Sequence, residues 1–132
     1  MPVIRQWRIG RASVGNQTGT GLAKLHTVIE TEAFISKAEK IMTEAERDAI
    51  VDTIAADPKA GVLIQGCHGL RKLRIPLEDR GKRGGGRVIY WFHSERYPAA
   101  LLWVFAKNEA SDLTADQKRT LAAMARSFMN GD

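Results

Sequence analysis

The stretch GLRKLRIPLEDRGKRGGGRVIYWFH, residues 69–93, places seven Lys or Arg residues in front of an apolar and aromatic run. Its first part has a period of two, so Leu73 and Ile75 share one face of a predicted strand. Lys72 and Arg74 then lie together on the opposite face. Charges of one sign repel each other, so a cluster of this density indicates an anionic partner.

Two more strands follow this basic segment. Residues 80–86, RGKRGGG, are predicted as a flexible basic loop, and residues 87–93 as the next strand. The run AALLWVFA, residues 99–106, is continuously apolar and predicts a central strand that is buried on both faces. The connection between residues 93 and 98 is short enough for an antiparallel hairpin.

A first strand and three helices are predicted around these strands. Residues 24–30 alternate, and residues 32–42 carry apolar side chains at helical spacing. Thr114 with Gln117 forms a capping box that begins a C-terminal helix. The order strand, helix, helix, three strands, helix indicates the α+β class, with a small antiparallel sheet, two N-terminal helices and a C-terminal helix.

The second helix is defined by its two ends. Thr43 and Glu46 form a capping box at its start, and Pro58 ends it because the residue before a proline is pushed out of the α region. Its buried side is expected to consist of Ala45, Ala49, Ile50, Thr53 and Ile54.

Length and composition limit the class of protein. A chain of 132 residues is long enough for one domain that folds alone. Its longest apolar run, residues 98–106, is far shorter than the ~20 residues that span a bilayer. Cys67 is the single cysteine and cannot form an internal disulfide, so we expect a cytoplasmic protein.

Charge is unevenly distributed along the chain. Residues 1–26 carry a net charge of +4, residues 27–68 a net charge of −4, and residues 69–110 a net charge of +5. Residues 1–23 contain glycines without a sustained period, so we expect a flexible basic N-terminal arm before a folded domain at residues 24–132. The basic second half indicates a nucleic-acid or phosphate surface, with a solvated charged face as the alternative.

Other chemistries lack support in the sequence. Cys67 and His68 are adjacent, but His26 and His93 lie far from them, without the ligand spacing of a zinc site. The chain has no nucleophile elbow of a hydrolase. The RGKRGGG loop lacks the spacing of a nucleotide-binding P-loop. We therefore expect neither a metal nor a cofactor.

The basic strands suit phosphate chemistry on RNA. Cleavage by attack of a ribose 2′-OH on the adjacent phosphate requires a base, an acid and cations that hold the phosphorane charge. Lys72, Arg74 and Arg87 would converge on one phosphate if their strands pair, because guanidinium groups fork onto phosphate oxygens. Tyr90 is a candidate proton donor or base-stacking ring. For each basic residue alone, a solvated surface charge remains the alternative.

Three blocks of the sequence have a familiar order and spacing. GLRKLR (residues 69–74), GKRGGGRVIY (81–90) and AKNEASDLT (106–114) resemble the RelE/HigB family of toxins from bacterial type II toxin–antitoxin systems, in particular its HigB-like branch. The similarity extends from His26 to Phe128. It implies a RelE-like fold, similar to microbial ribonucleases, for the domain at residues 24–132.

The resemblance implies an mRNA endonuclease that acts in the ribosomal A site without a metal or cofactor and so inhibits translation. It also implies a cognate helix-turn-helix antitoxin of the HigA-like type. The toxin–antitoxin complex would bind operator DNA and repress its own promoter. No membrane partner is implied.

The resemblance also assigns roles to residues. Lys72 and Arg74 match the basic strand that lines the family's active site, and Arg87 matches the arginine that opens the next strand. Lys107 and Asn108 match a basic pair of RelE, from which Asn108 departs. RelE has a C-terminal tyrosine implicated in catalysis, and no tyrosine follows Thr114 here, so the general base and acid stay unassigned. The predicted catalytic set is Lys72, Arg74, Arg87, Tyr90 and Lys107, and the predicted RNA- or ribosome-binding set is Arg71, Lys82, Arg83 and Asn108.

Two other functions remain open at this point. ParE-type toxins share the fold that the resemblance implies, but they poison DNA gyrase by protein contact. A nonenzymatic basic RNA-binding module would bind many RNAs in a salt-sensitive manner without cutting them.

Overall fold

The computed structural model describes residues 4–9, 25–77, 85–110 and 112–130. Their helices and strands are, in chain order, β1 (Ile4–Ile9), β2 (Thr27–Thr31), α1 (Glu32–Ile41), α2 (Glu44–Ala56), β3 (Val62–Leu63), β4 (Leu70–Ile75), β5 (Gly86–Trp91), β6 (Ala99–Ala106) and α3 (Ala115–Asn130). The strands form one sheet in the order β1-β2-β6-β5-β4-β3. The predicted α+β class with a C-terminal helix is confirmed.

The sheet is mixed rather than wholly antiparallel. β2 and β6 run parallel, with Val28 opposite Ala99 and Glu30 opposite Leu101, whereas the other neighbouring strands are antiparallel. A parallel pair requires a long crossover, which the chain from α1 to β5 supplies. The prediction of an antiparallel sheet is therefore wrong for this one pair. Local alternation does not specify which distant strand becomes a neighbour.

Two strands of the sheet were not predicted. β1 lies within the segment expected to be a flexible arm, and it pairs antiparallel with β2 from Ile4 opposite Thr31 to Ile9 opposite Thr27. Residues Ile4–Ile9 of the predicted arm therefore form an edge strand of the sheet. The sequence there has only a weak strand pattern, and backbone pairing with β2 stabilises the strand. The rest of residues 1–23, and residues 78–84 of the predicted basic loop, lie outside the described residues. β3 is a two-residue edge strand beside β4.

The sheet has a hydrophobic core on each face. Residues from α1 and α2 pack on one face, and residues from α3 pack on the other. β6 serves both cores, because Leu101 and Val104 belong to the first and Ala100 and Phe105 to the second. The prediction of a central strand buried on both faces is confirmed. In the described part of the chain, no helix has the length and apolarity needed to cross a membrane.

Both predicted capping boxes form. Thr43 Oγ1 accepts from Glu46 N at 3.1 Å, and Thr43 N donates to Glu46 Oε1 at 2.9 Å. Thr114 and Gln117 make the same two bonds, again at 3.1 and 2.9 Å, before α3. These local bonds satisfy backbone N–H groups that have no partner within the helix. Helix starts could therefore be located from the sequence.

The buried side of α2 is rotated from the prediction. Ile50 and Ile54 are buried as expected, but Ala45, Ala49 and Thr53 are exposed. Val51 and Ala55 are buried instead. Ile50 and Ile54 are buried in both the predicted and the observed orientation of α2. Arg47, Val51 and Ala55 follow one another at a spacing of four residues on one side of the helix, and Arg47 is hydrogen-bonded to the sheet. The side of α2 that faces the sheet thus carries Arg47, Val51 and Ala55 together with the two isoleucines.

An ion pair joins α2 to the sheet. Arg47 Nε donates to Glu30 Oε1 at 3.0 Å, and the Glu30 side chain on β2 is fully buried. A buried carboxylate is tolerated when it is paired, whereas removal of one partner leaves the other charge uncompensated.

Glu30→Ala should lower the free energy of unfolding by about 3–5 kcal/mol, because it leaves Arg47 charged and largely buried without this partner. Denaturant unfolding followed by far-UV circular dichroism measures the change. The control is Glu39→Ala at an exposed position of α1, which should change stability by less than about 0.5 kcal/mol. Equal losses in the two variants would contradict a structural role for the ion pair.

Candidate functional site

The register of β4 with β5 brings three predicted cations together. Arg74 lies directly opposite Arg87, and Lys72 lies opposite Ile89, two residues earlier on the same face of β4. Residues directly opposite in an antiparallel pair have Cβ atoms about 4.5–5.5 Å apart. The three cations lie on the same face of the sheet as α3, because Leu70 and Ile89 on that face belong to the hydrophobic core that α3 covers. The pairing of β4 with β5 that the prediction required is present, and it places Lys72, Arg74 and Arg87 on one face of the sheet.

The arginine pair is unfavourable for the fold alone. Like charges directly opposite on neighbouring strands destabilise a sheet. Arg87 Nη1 donates to the Gly86 carbonyl at 3.0 Å, and Arg74 is exposed and makes no ion pair with the described residues. Among residues 4–9, 25–77, 85–110 and 112–130, no acidic side chain forms an ion pair with either arginine. Two forked donors on a rigid strand pair suit the oxygens of one phosphate.

Lys72 is held by an acidic partner. Its Nζ lies 3.1 Å from Asp112 Oδ1, and the two side chains are 32% and 48% exposed. The same oxygen accepts from the Leu113 N–H at 2.8 Å. That N–H bond, together with Lys72, holds the pKa of Asp112 below its usual range. Asp112 therefore carries a full negative charge beside the basic face at neutral pH.

A glycine defines the end of the sheet at which the arginines lie. Gly85 has a φ of +66°, and a Cβ there would lie 2.1 Å from the Ile75 carbonyl oxygen. Its own carbonyl accepts from the Lys107 N–H at 2.9 Å. Gly85 thus lies where β4, β5 and the residue after β6 meet, and a side chain at this position would clash with the backbone. Lys107 and Asn108 are exposed in the turn after β6 at this end.

Tyr90 does not belong to this site. It lies three residues after Arg87 on β5, so its side chain is on the opposite face, where it is fully buried among the α1 and α2 residues. Its hydroxyl donates to the Pro58 carbonyl at 2.7 Å and accepts from the Gly61 N–H at 2.8 Å. Burial raises the pKa of this phenol above its usual value. The assignment of Tyr90 to the catalytic set is therefore wrong.

Arg71 is also directed away from the cations. It lies opposite Tyr90, on the face remote from Lys72. Its Nη1 donates to the carbonyl oxygens of Gly61 at 2.7 Å and Lys59 at 3.3 Å. Arg71 therefore holds the connection between α2 and β3, and the prediction that it binds ribosomal RNA is not supported by its position. Lys82 and Arg83 lie outside the described residues.

Sequence reasoning missed Asp112 and Gly85. Asp112 stands in the third block of the resemblance, but no local pattern relates it to Lys72, forty residues earlier. Gly85 is one of three consecutive glycines, and its positive φ and its close approach to the Ile75 carbonyl appear only in the folded structure. The sequence does contain the information that excludes Tyr90 and Arg71. Side chains alternate along a strand, so Tyr90 lies on the other face of β5 from Arg87, and Arg71 lies on the other face of β4 from Arg74.

The chain was compared with models of known protein families, and no family model matches it. Within residues 4–9, 25–77, 85–110 and 112–130, no three His, Cys, Asp or Glu side chains group as metal ligands. Lys72, Arg74 and Arg87, which we call the cationic triad, lie on one face of the β4–β5 pair, and their side-chain donors are of the type that suits phosphate oxygens.

Tyr90→Phe should lower the free energy of unfolding by about 1–3 kcal/mol, because the Pro58 carbonyl and the Gly61 N–H lose a buried partner. The matched control is Tyr97→Phe at a half-buried position, with an expected change below about 0.5 kcal/mol. Denaturant unfolding at neutral pH measures both.

The same variants test the direction of the Tyr90 pKa. An unfolded tyrosine ionises near pH 10, and the folded Tyr90 ionises at higher pH, so the folded state keeps its proton longer. The stability that Tyr90 contributes is thus complete below about pH 10 and declines as the pH rises further. The difference between wild type and Tyr90→Phe should shrink in unfolding experiments above about pH 10. A difference that grows there would reverse the sign of the shift.

Removal of one charge from the arginine pair should not weaken the fold. Arg74→Met keeps the aliphatic stem and removes the repulsion with Arg87, so unfolding free energy should stay equal or rise by about 0.2–1 kcal/mol at low salt. High salt should erase the gain, because screening already weakens the repulsion. Denaturant unfolding at two ionic strengths measures this. A loss above about 1 kcal/mol would instead identify Arg74 as a structural arginine.

Proposed function

We propose that the protein is the toxin of a type II toxin–antitoxin system and cuts mRNA in the ribosome without a metal. The opposed arginines Arg74 and Arg87, with Lys72 on the same face, are the observation that supports it. Like charges that cost stability suit an anion, and a surface built for packing would not bring them together. The α+β architecture is consistent with the RelE-like fold that the three sequence blocks imply.

In this proposal the protein stabilises charge that develops during cleavage. A ribose 2′-OH gives up its proton to a base and attacks the neighbouring phosphorus, which forms a phosphorane with extra negative charge. The bond to the 5′ oxygen of the next nucleotide then breaks, that oxygen takes up a proton, and the products are a 2′,3′-cyclic phosphate and a 5′-OH. Arg74 and Arg87 hold that charge, and Lys72 and Lys107 supply further charge or transfer a proton. Arginine stays protonated throughout and forms two parallel bonds to phosphate oxygens. Asn108, exposed next to Lys107, contacts RNA.

The proposal extends to partners. The mRNA in the ribosomal A site is the substrate of this proposal, and the cationic face is the part of the protein that meets it. A helix-turn-helix antitoxin neutralises the protein, and the complex binds operator DNA to repress its own promoter. The site of action is the cytoplasm.

The test is primer extension on a reporter mRNA in a bacterial cell-free translation reaction. Wild-type protein should cut at codon boundaries only when ribosomes are present. Arg87→Ala should reduce cleavage by at least about a hundredfold, because one donor to developing charge is worth that much or more. The matched control is Arg126→Ala at an exposed position of α3, which should cut at the wild-type rate.

Each other outcome has a defined meaning. Loss of both folding and cleavage in Arg87→Ala would assign Arg87 to structure. Intact mRNA with wild-type protein that is toxic in cells would contradict the nuclease, and gyrase-dependent DNA breaks would then identify a ParE-like poison. Salt-sensitive RNA binding without any cut would identify a nonenzymatic module.

A further inference from the structure

Asp112 has an unexpected position for a surface that binds phosphate. Its carboxylate lies beside the cationic triad, 3.1 Å from the Lys72 ammonium. A negative charge at this place repels RNA, so a surface selected for RNA affinity alone would be improved by its loss. The presence of Asp112 therefore points to a role that outweighs this repulsion.

The carboxylate is itself fixed in place. Asp112 Oδ1 accepts from the N–H of Leu113 at 2.8 Å, and the Leu113 side chain is buried in the core under α3. The buried Leu113 thus anchors the chain next to Asp112, whose carboxylate contacts Lys72 on β4. An anchored acid can orient a flexible partner, whereas a mobile acid cannot.

Lys72 needs such an orienting group. Its side chain has four flexible carbons and loses substantial rotamer entropy when it is held in one position. Arg74 lies two residues away on the same face, so charge repulsion alone would direct the ammonium outward. Asp112 attracts the ammonium and holds it at 3.1 Å.

We propose that Asp112 is a positioning residue that holds the Lys72 ammonium on the face shared with Arg74 and Arg87, so that Lys72 meets the scissile phosphate in one orientation. The inference rests on the proposed function and adds a residue to it. Asp112 takes no proton and touches no reacting atom in this role. Its effect passes through Lys72.

The kinetic test compares Asp112→Asn with wild type in the ribosome-dependent cleavage assay. Asparagine keeps an oxygen for the Leu113 N–H and removes the charge that holds Lys72. The cleavage rate at saturating ribosomes, kcat, should fall about tenfold because the lysine is no longer oriented. KM should stay equal or fall, because a charge that repels RNA is gone. Asp116→Asn, an exposed acid in the first turn of α3, is the control and should leave both constants unchanged.

A double variant tests whether Asp112 acts through Lys72. Lys72→Ala with Asp112→Asn should be no slower than Lys72→Ala alone, because Asp112 has nothing left to orient. A lower KM with kcat unchanged would show that Asp112 only repels RNA and would overturn the proposal. A melting temperature several degrees lower, with both constants impaired, would show a structural role and would also overturn it.

A second measurement needs neither ribosome nor RNA. Limited acetylation by an activated ester, quantified for each lysine by peptide mass spectrometry, reports how freely Lys72 moves away from its carboxylate partner. Asp112→Asn should raise the acetylation rate of Lys72 about two- to fivefold and leave that of the exposed Lys107 unchanged. An unchanged Lys72 rate would contradict the positioning role even if cleavage is intact. Absence of cleavage by wild type would instead contradict the proposed function, whichever acetylation result is found.

Discussion

Antiparallel pairing of β4 with β5, in the register that puts Arg74 opposite Arg87, is the constraint on which the candidate site depends. A slip by one residue would move one arginine to the opposite face of the sheet and bury it among apolar side chains. Gly85 helps to prevent such a slip, because its close contact with the Ile75 carbonyl fixes how the two strands meet. The site is therefore a property of the backbone register as much as of its side chains.

The rest of the sheet supplies stabilising interactions that offset the repulsion between these charges. β6 contributes to a core on each face, and the ion pair of Glu30 with Arg47 ties α2 to β2. The cations thus project from strands whose neighbouring residues pack into a hydrophobic core on each face of the sheet. Rigid placement matters for a site that stabilises developing charge, because donors that are already oriented need no reorganisation during the reaction.

Alternation along β4 and β5 divides neighbouring residues between two tasks. Lys72 and Arg74 face the candidate site, whereas Arg71, between Leu70 and Lys72, supports the connection before β3. Tyr90 likewise packs on the face of the sheet opposite to Arg87. The chemical character of a residue suggested a role in both cases, and its parity on the strand decided against that role. Parity is readable from sequence once the strand is recognised, so this error was avoidable.

The sequence by itself determined the α+β class, the starts of α2 and α3 and the cationic face of β4, because capping boxes and side-chain alternation act over a few residues. Only the tertiary structure decided the parallel pairing of β2 with β6, the rotation of α2 and the contact of Asp112 with Lys72. Each of these joins segments that are distant in the chain. Their free energy depends on which surfaces meet, and no local period records that.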